Sequence, residues 1–322
     1  MKNPFRPRVA LVLGGGGARG LSHVGVLKTF EAAKIPIDLI VATSAGALVG
    51  SLYAVYGNVR DVEERLTAFA NSPQFQSEKF RDLQHMTPLE NDDKGLVMTL
   101  RRFYKLGLFF ATTLFKESFI DPEQFERDLA AVLPDCRIEE APIRLAIVTT
   151  DLGLGREVVL TEGPLRTAVQ ASSAIAGIFP PVAVDGKELV DGGFVNKVPV
   201  EVALGLGADV VIAVDVSLDV LDSQDFSRSG AAVSMRANAI LSETLKNLQL
   251  RFADVVIRPD VKNIHWADFA SISEITPMGE AAAKESLPAV REALLRGYVQ
   301  RLKKLAGIRR KWRADLGPPE EE

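Results

Sequence analysis

The chain has 322 residues, of which 47% are hydrophobic and 25% charged, which suits one large α/β domain or two small ones with a sizeable core. Its formal net charge of −4 argues against a general nucleic-acid-binding protein. The single cysteine, Cys136, excludes an internal disulfide, and the lack of any run of 18 uncharged apolar residues argues against a transmembrane helix, so we expect a cytoplasmic protein.

Short apolar runs rich in Val, Ile and Leu alternate along the chain with helical patterns. The runs lack the polar alternation of half-exposed strands and therefore predict buried parallel strands over Val9–Leu13, Leu39–Thr43, 144–150 and 210–216. The helical patterns include 21–33 and Ala45–Tyr56. Strands that alternate with helices predict an α/β fold with a mainly parallel central sheet.

Residues 73–120 fit the sheet pattern poorly and are predicted to form an insertion or lid. Their segment 96–115, if helical, carries apolar residues on one side and three cations largely on the other. One interpretation is a helix that lies in a lipid interface and gives the protein peripheral membrane contact. The alternative is a helix that packs on the core and has a solvated basic face.

The C-terminal part predicts a long helix over 280–313 with a basic end. Proline removes a helix hydrogen bond, so we expect an interruption near Pro288. A single domain is expected over 1–308, followed by a disordered tail over 309–322 that is first basic and then acidic.

A glycine-rich loop, GGGGARG over residues 14–20, joins the first predicted strand to the first helix. Glycines let the backbone approach a ligand closely, and amides at a helix N-terminus point at negative charge. Gly15, Gly17 and Gly20 match the dinucleotide pattern G-x-G-x-x-G, which also needs an acid at the end of strand 2, where Thr43-Ser44 stands. A packing turn and an oxyanion hole for acyl transfer are the other interpretations, and the motifs that follow favour the oxyanion hole.

Ser44 lies at the predicted turn from the second strand into the second helix, in the sequence Ala42-Thr43-Ser44-Ala45-Gly46. A serine flanked by small residues at positions −2 and +2 of such a turn is typical of a hydrolase nucleophile elbow. Ala42 stands where the motif usually has glycine, which makes the match imperfect. The alternative is a serine that only caps the helix.

The proton acceptor for Ser44 is either a histidine or a carboxylate. The chain has three histidines, His23, His85 and His265. Neither His23 nor His265 has a triad-like context. In an α/β-hydrolase the serine also follows more strands than the two predicted here. Asp191 precedes two glycines and is able to accept the proton if a dry site raises its pKa. An isolated Asp-Gly-Gly segment is usually a turn, so the evidence that Asp191 is a base comes from the motifs found together with it.

Together, the glycine loop, the elbow and Asp191-Gly192-Gly193 resemble the patatin-like phospholipase family, in its bacterial branch related to the catalytic domain of neuropathy target esterase. The likeness covers about residues 8–300 and continues in 171–174 and 179–182, in Asn196 and Pro199, and in 208–211. The resemblance implies a patatin-like three-layer α/β/α fold and a Ser-Asp dyad without histidine. In that dyad Ser44 attacks the ester carbonyl and Asp191 takes its proton.

The resemblance also implies roles for the surrounding residues. Backbone amides around Gly15, Gly16 and Gly17 would hold the oxyanion, and Arg19 would orient the loop or add positive potential. The residues that support the motifs are Ala42, Gly46, Gly20, Gly192 and Gly193. The implied chemistry needs no metal and no cofactor.

The predicted function is hydrolysis of carboxylic esters of (lyso)phospholipids or related lipids through an acyl-enzyme. A catalytically weak lipid-binding or regulatory protein is one alternative, which only Ala42 favours. A nucleotide-dependent oxidoreductase is another, against which the missing acid at strand 2 counts. The expected partner is a lipid ester, with no nucleic acid, and the sequence does not indicate an oligomeric state.

Overall fold

The computed structural model describes residues 5–71, 122–217 and 230–305. The predicted lid over 73–120, with its segment 96–115, lies outside the described residues, and so do His85 and the tail over 309–322.

The strands of the described residues are β1 (Val9–Leu13), β2 (Leu39–Thr43), β3 (Arg144–Asp151), β4 (Arg156–Leu160), β5 (Val182–Val184), β6 (Lys187–Asp191), β7 (Val210–Val214) and β8 (Val255–Ile257). The helices are α1 (Ser22–Ala32), α2 (Ala45–Tyr56), α3 (Val59–Ala70), α4 (Pro122–Val132), α5 (Leu165–Ser172), α6 (Val200–Gly205), α7 (Gly230–Leu250) and α8 (Ile272–Leu305). The predicted strand at 144–150 extends to Asp151, and the one at 210–216 ends at Val214.

The strands form one sheet in the order β5-β6-β3-β2-β1-β7-β8, and β4 also pairs with β3. Strands β3, β2, β1, β7 and β8 run parallel to one another, while β4, β5 and β6 are joined by antiparallel pairings. The expected mainly parallel central sheet is therefore confirmed.

Side chains of the central strands are buried on both faces of the sheet. On one face Val9, Leu11 and Leu13 of β1 join a core that also contains residues of α1, α2 and α8. On the other face Ala10 and Val12 join a smaller core, formed with α6 and the end of α7. Because helices cover both faces, the expected three-layer α/β/α architecture is confirmed.

The expected interruption of the C-terminal helix is wrong. Helix α8 begins at Ile272 and continues through both Pro277 and Pro288 to Leu305. Each proline removes the hydrogen bond to the carbonyl four residues earlier, which belongs to Ser273 or Lys284. Both prolines and both of these residues are exposed, so water is able to hydrate the freed carbonyls and the helix continues.

Helices α1 and α8 approach each other closely at two glycines. A Cβ atom on Gly25 of α1 would lie 2.0 Å from the carbonyl oxygen of Thr276, and one on Gly279 of α8 would lie 1.8 Å from that of Ser22. Neither position has room for a side chain. This contact matters for the site because α1 directly follows the glycine loop.

We predict that Gly25→Ala lowers the free energy of unfolding by at least about 2 kcal/mol, because the methyl group forces the two helices apart. Gly205→Ala is the matched control, since no atom of the residues that the structure describes lies within 4 Å of its added Cβ and alanine favours helix by up to about 1 kcal/mol. Urea denaturation followed by circular dichroism measures both. Equal stabilities for the two variants would contradict the close contact.

Candidate active site

Strands β2 and β6 meet end to end along β3, on the side opposite β4. Thr43, the last residue of β2, is level with Val148 of β3. Asp191, the last residue of β6, pairs with the next residue of β3, Thr149. Because β2 runs parallel and β6 antiparallel to β3, their C-terminal ends point at each other, and Ser44 comes directly against Asp191.

Ser44 occupies a sharp turn between β2 and α2, with φ of 56° and ψ of −125°. A positive φ is strained for a residue with a side chain and costs on the order of 1–3 kcal/mol. The Ser44 hydroxyl donates a 2.5 Å hydrogen bond to Oδ2 of Asp191, and its side chain makes no cap bond to α2. The alternative of a serine that only caps the helix does not describe this geometry.

Two contacts hold this turn in place. Oγ of Ser172 accepts a hydrogen bond from the Ser44 amide at 2.8 Å and donates one to the Val148 carbonyl at 2.7 Å. Gly46 brings α2 so close to β1 that a Cβ there would lie 2.2 Å from the Leu13 carbonyl oxygen. The sequence did not predict the role of Ser172, because residues 171–174 were recognised only as part of the resemblance to the family that flanks the motifs.

Ala42, the residue that departs from the usual elbow motif, is fully buried and faces α2. A Cβ added to Gly50 of that helix would lie 3.4 Å from the Ala42 methyl carbon and 2.9 Å from Cγ2 of Ile40. The missing side chain of Gly50 therefore lets α2 pack closely on Ile40, while the contact of such a Cβ with the Ala42 methyl would be an ordinary van der Waals contact. Sequence reasoning did not consider Gly50, whose importance depends on helix packing.

Asp191 is buried and held on both carboxylate oxygens. Its Oδ1 accepts a 2.7 Å hydrogen bond from the Gly193 amide, while Oδ2 receives the Ser44 hydroxyl. Gly192 packs against β3 so closely that a Cβ would lie 2.3 Å from the Val148 carbonyl oxygen. Burial raises the pKa of Asp191 from 3.8 to about 6, against the opposing effects of the Ser44 and Gly193 hydrogen bonds and the charge of Lys197.

The glycine loop lies beside Ser44. A Cβ on Gly15 would lie 3.1 Å from Cβ of Ser44, and the Gly15 amide donates to the Lys197 carbonyl at 3.1 Å. Within the part of the chain that the structure describes, the amides of Gly16 and Gly17 have no acceptor. Of the three amides expected to bind an oxyanion, the Gly15 amide is thus already occupied and the other two are available.

Arg19 and Gly20 fix the far end of this loop. Nε of Arg19 donates a 2.8 Å hydrogen bond to the Ile264 carbonyl, and burial lowers the pKa of the guanidinium to about 10. Arg19 is still charged at neutral pH. A Cβ on Gly20 would lie 2.6 Å from Cβ of Ala45, so the loop packs directly on the first residue of α2.

No histidine hydrogen-bonds to Ser44 or Asp191 among the described residues. His23 is fully buried and forms a 2.9 Å hydrogen bond between Nε2 and the Gly14 carbonyl. A carbonyl only accepts, so Nε2 carries the proton, and burial lowers the pKa of His23 to about 4. Nδ1 of His265 accepts from the amide of Ala267 at 3.2 Å. The neutral His23 thus supports the glycine loop.

The sequence matches the family described as Patatin-like phospholipase over residues 11–204. Lysophospholipase nte1 of Aspergillus fumigatus is 32% identical over 303 residues, which cover 87% of this chain and 18% of that protein. Patatin-like phospholipase domain-containing protein 6 of Homo sapiens is 34% identical over 228 residues, which cover 70% of this chain and 14% of that protein. The structure of VipD from Legionella pneumophila is similar with a TM-score of 0.41 and 15% identity, over 90% of this chain and 67% of VipD.

The chain therefore belongs to the patatin-like phospholipase family, which confirms the family that the sequence motifs resemble. It spans less than a fifth of the length of these two sequence relatives. Within the described residues, no helix is both long and apolar enough to cross a membrane.

We predict that Asp191→Asn stabilises the protein at about pH 7.5, by at most about 3 kcal/mol. Because the folded-state pKa is raised from 3.8 to about 6, the burial penalty of the carboxylate is complete above pH 6 and disappears as pH falls below 3.8. Thermal unfolding at about pH 7.5 and about pH 4 measures the change, with the exposed Asp185→Asn as control. An equal gain at both pH values would show that burial of the charge is not its cause.

Proposed function

We propose that this chain hydrolyses the carboxylic ester of a phospholipid or lysophospholipid, with Ser44 as nucleophile and Asp191 as its base. The observation that carries the proposal is the 2.5 Å hydrogen bond from the Ser44 hydroxyl to Oδ2 of a buried Asp191. Family membership and a relative named as a lysophospholipase support the lipid ester as substrate class.

In the first step Oγ of Ser44 attacks the ester carbonyl carbon while its proton moves to Oδ2 of Asp191. The carbonyl oxygen becomes an oxyanion, for which the amides of Gly16 and Gly17 are the available donors. Collapse of the tetrahedral intermediate breaks the bond to the alcohol, which leaves with the proton from Asp191. The acyl group remains on Ser44.

In the second step Asp191 takes a proton from water, whose oxygen attacks the acyl-enzyme. The second tetrahedral intermediate collapses, Ser44 regains its proton from Asp191, and the carboxylic acid leaves. A base with a pKa of about 6 suits this role, since it is largely ionised at neutral pH and still basic enough to hold a proton transiently.

Ser44→Ala and Asp191→Asn are each expected to lower ester hydrolysis by about a thousandfold or more, and the double variant is expected to be no worse than either single one. Turnover of a lysophospholipid and of a soluble ester by the purified full chain is the measurement. Ser51→Ala is the control, since it removes a buried hydroxyl of α2 that has no hydrogen-bond partner among the described residues. A folded Ser44→Ala protein with more than a tenth of wild-type activity would refute the dyad.

The acidic limb of the kcat/KM profile is expected near pH 6, because only the ionised Asp191 accepts the proton from Ser44. Activity is therefore complete above this value and is lost as pH falls through it. Initial rates between about pH 4.5 and 8 measure the limb. A limb near pH 4, the range of an exposed aspartate, would mean that Asp191 is not the base.

A further inference from the structure

Helix α7 turns its charged residues toward the protein. Glu243 and Lys246, two of its three charged residues, are buried. Nζ of Lys246 lies 2.7 Å from Oε1 of Glu243 and 3.1 Å from Oδ2 of Asp215. A surface helix usually buries an apolar side and exposes its charges, so the arrangement in α7 is reversed.

The outer side of α7 is an apolar stripe. The helical period of 3.6 residues places six exposed residues on this side. They are Val233, Ala237, Ile240, Leu241, Thr244 and Leu248, which we call the α7 stripe. Leu241 is 66% exposed. The Thr244 hydroxyl donates a 2.9 Å hydrogen bond to the Ile240 carbonyl, so even this residue presents little polarity.

The N-terminal half of α7 projects past the edge of the sheet at which the dyad lies. Strands β7 and β8 are parallel, so α7, which connects them, returns from their carboxyl edge toward the opposite edge. Lys246 contacts Asp215, the residue that follows β7, and Ser44 follows β2 at the same edge. Residues 230–242 therefore extend up to about 20 Å past this edge. None of their described side chains is buried.

The charges beside the α7 stripe favour an anionic surface. The remaining charged residue of α7 is Arg236, which is partly exposed, and the exposed Arg251 follows the last residue of the helix. Glu243, the single acidic residue of α7, is buried, so the helix exposes no acid. An apolar side accompanied by arginines is typical of helices that lie in the interface of an anionic bilayer.

The size of the α7 stripe favours a bilayer over a protein partner. A helix of 21 residues is about 30 Å long, and a stripe about 10 Å wide along it covers about 300 Å². A stable protein complex buries about 800 Å² of each partner. Binding to a bilayer instead scales with the apolar area that is inserted, and it gains from the attraction between cations and anionic headgroups.

We propose that the α7 stripe docks on the surface of an anionic phospholipid bilayer, with the helix parallel to the plane of the bilayer. Because residues 230–242 project past the edge that carries Ser44, the docked protein holds this edge next to the lipid. The docking goes beyond the proposed hydrolysis and is separable from it, since binding to a bilayer requires no turnover.

Co-sedimentation of the purified full chain with vesicles tests the proposal. The vesicles contain phosphatidylcholine alone or phosphatidylcholine mixed with phosphatidylglycerol, and the wild type is expected to prefer the mixed ones. Ile240→Ser/Leu241→Ser is expected to raise the lipid concentration that binds half of the protein by about tenfold or more, because two exposed apolar side chains are lost. Arg236→Gln/Arg251→Gln is expected to reduce the preference for the mixed vesicles.

The matched control is Leu295→Ser/Val299→Ser, which removes two exposed apolar side chains from α8. Gly297, between them, packs against Val210, the first residue of β7, so this part of α8 lies toward the edge opposite the dyad. The control is expected to bind vesicles as the wild type does. Turnover of a soluble ester is expected to be the same in all three variants, because none of them changes the dyad or the glycine loop.

Equal binding by the wild type and Ile240→Ser/Leu241→Ser, or no binding by the wild type, would overturn the proposal. A wild-type dimer that Ile240→Ser/Leu241→Ser dissociates, as measured by light scattering, would also overturn it, since a second copy of the chain would then cover the stripe. An unchanged lipid preference in Arg236→Gln/Arg251→Gln would overturn the anionic surface as the ligand. Vesicle binding through the stripe without any ester hydrolysis would support the docking and refute the proposed function.

Discussion

The hydrogen bond between Ser44 and Asp191 depends on one antiparallel strand in a mainly parallel sheet. In a purely parallel sheet every strand presents its C-terminal end to the same edge, and two such ends never point at each other. Strand β6 runs against β3, so its last residue meets the end of β2 at adjacent positions on β3. The two residues are 147 positions apart in sequence and within 2.5 Å in space. The glycine loop, Ser172 and Lys197 are all arranged around this meeting point.

The conformation of Ser44 and the burial of Asp191 both cost free energy, and packing in the core of the protein offsets these costs. Ser44 has a positive φ, and Asp191 is a buried carboxylate whose raised pKa records the cost of its charge. Opposing these costs are strands β1, β2 and β7, in which every side chain is buried, and glycines that let α2 and β6 pack directly on neighbouring backbone. Gly46 and Gly192 fill this role, since a Cβ atom at either would lie within 2.3 Å of a carbonyl oxygen.

Sequence patterns predicted the structural elements that depend only on residues close together in the chain. The apolar runs located β1 and β2 to the residue, and small residues around Ser44 located the turn between β2 and α2. Ser172, Gly50 and Lys197 escaped prediction because each acts across the fold, through contacts that no spacing in the sequence shows. The error at Pro288 has the same origin, since the sequence alone does not show which side of α8 faces water.

The proposed carboxylate base has a consequence for the charge of the residues around Asp191. A neutral histidine acting as base would gain a positive charge as it took the serine proton, and that charge would sit beside the new oxyanion. An aspartate becomes neutral instead, so one negative charge moves from the carboxylate to the oxyanion and no new ion pair forms. Fixed positive charge near both positions therefore serves both states. The segment that follows Asp191 also contacts the glycine loop, because the Lys197 carbonyl accepts the Gly15 amide. In the proposed dyad, one short segment after Asp191 therefore connects the base to the loop whose Gly16 and Gly17 amides are the available oxyanion donors.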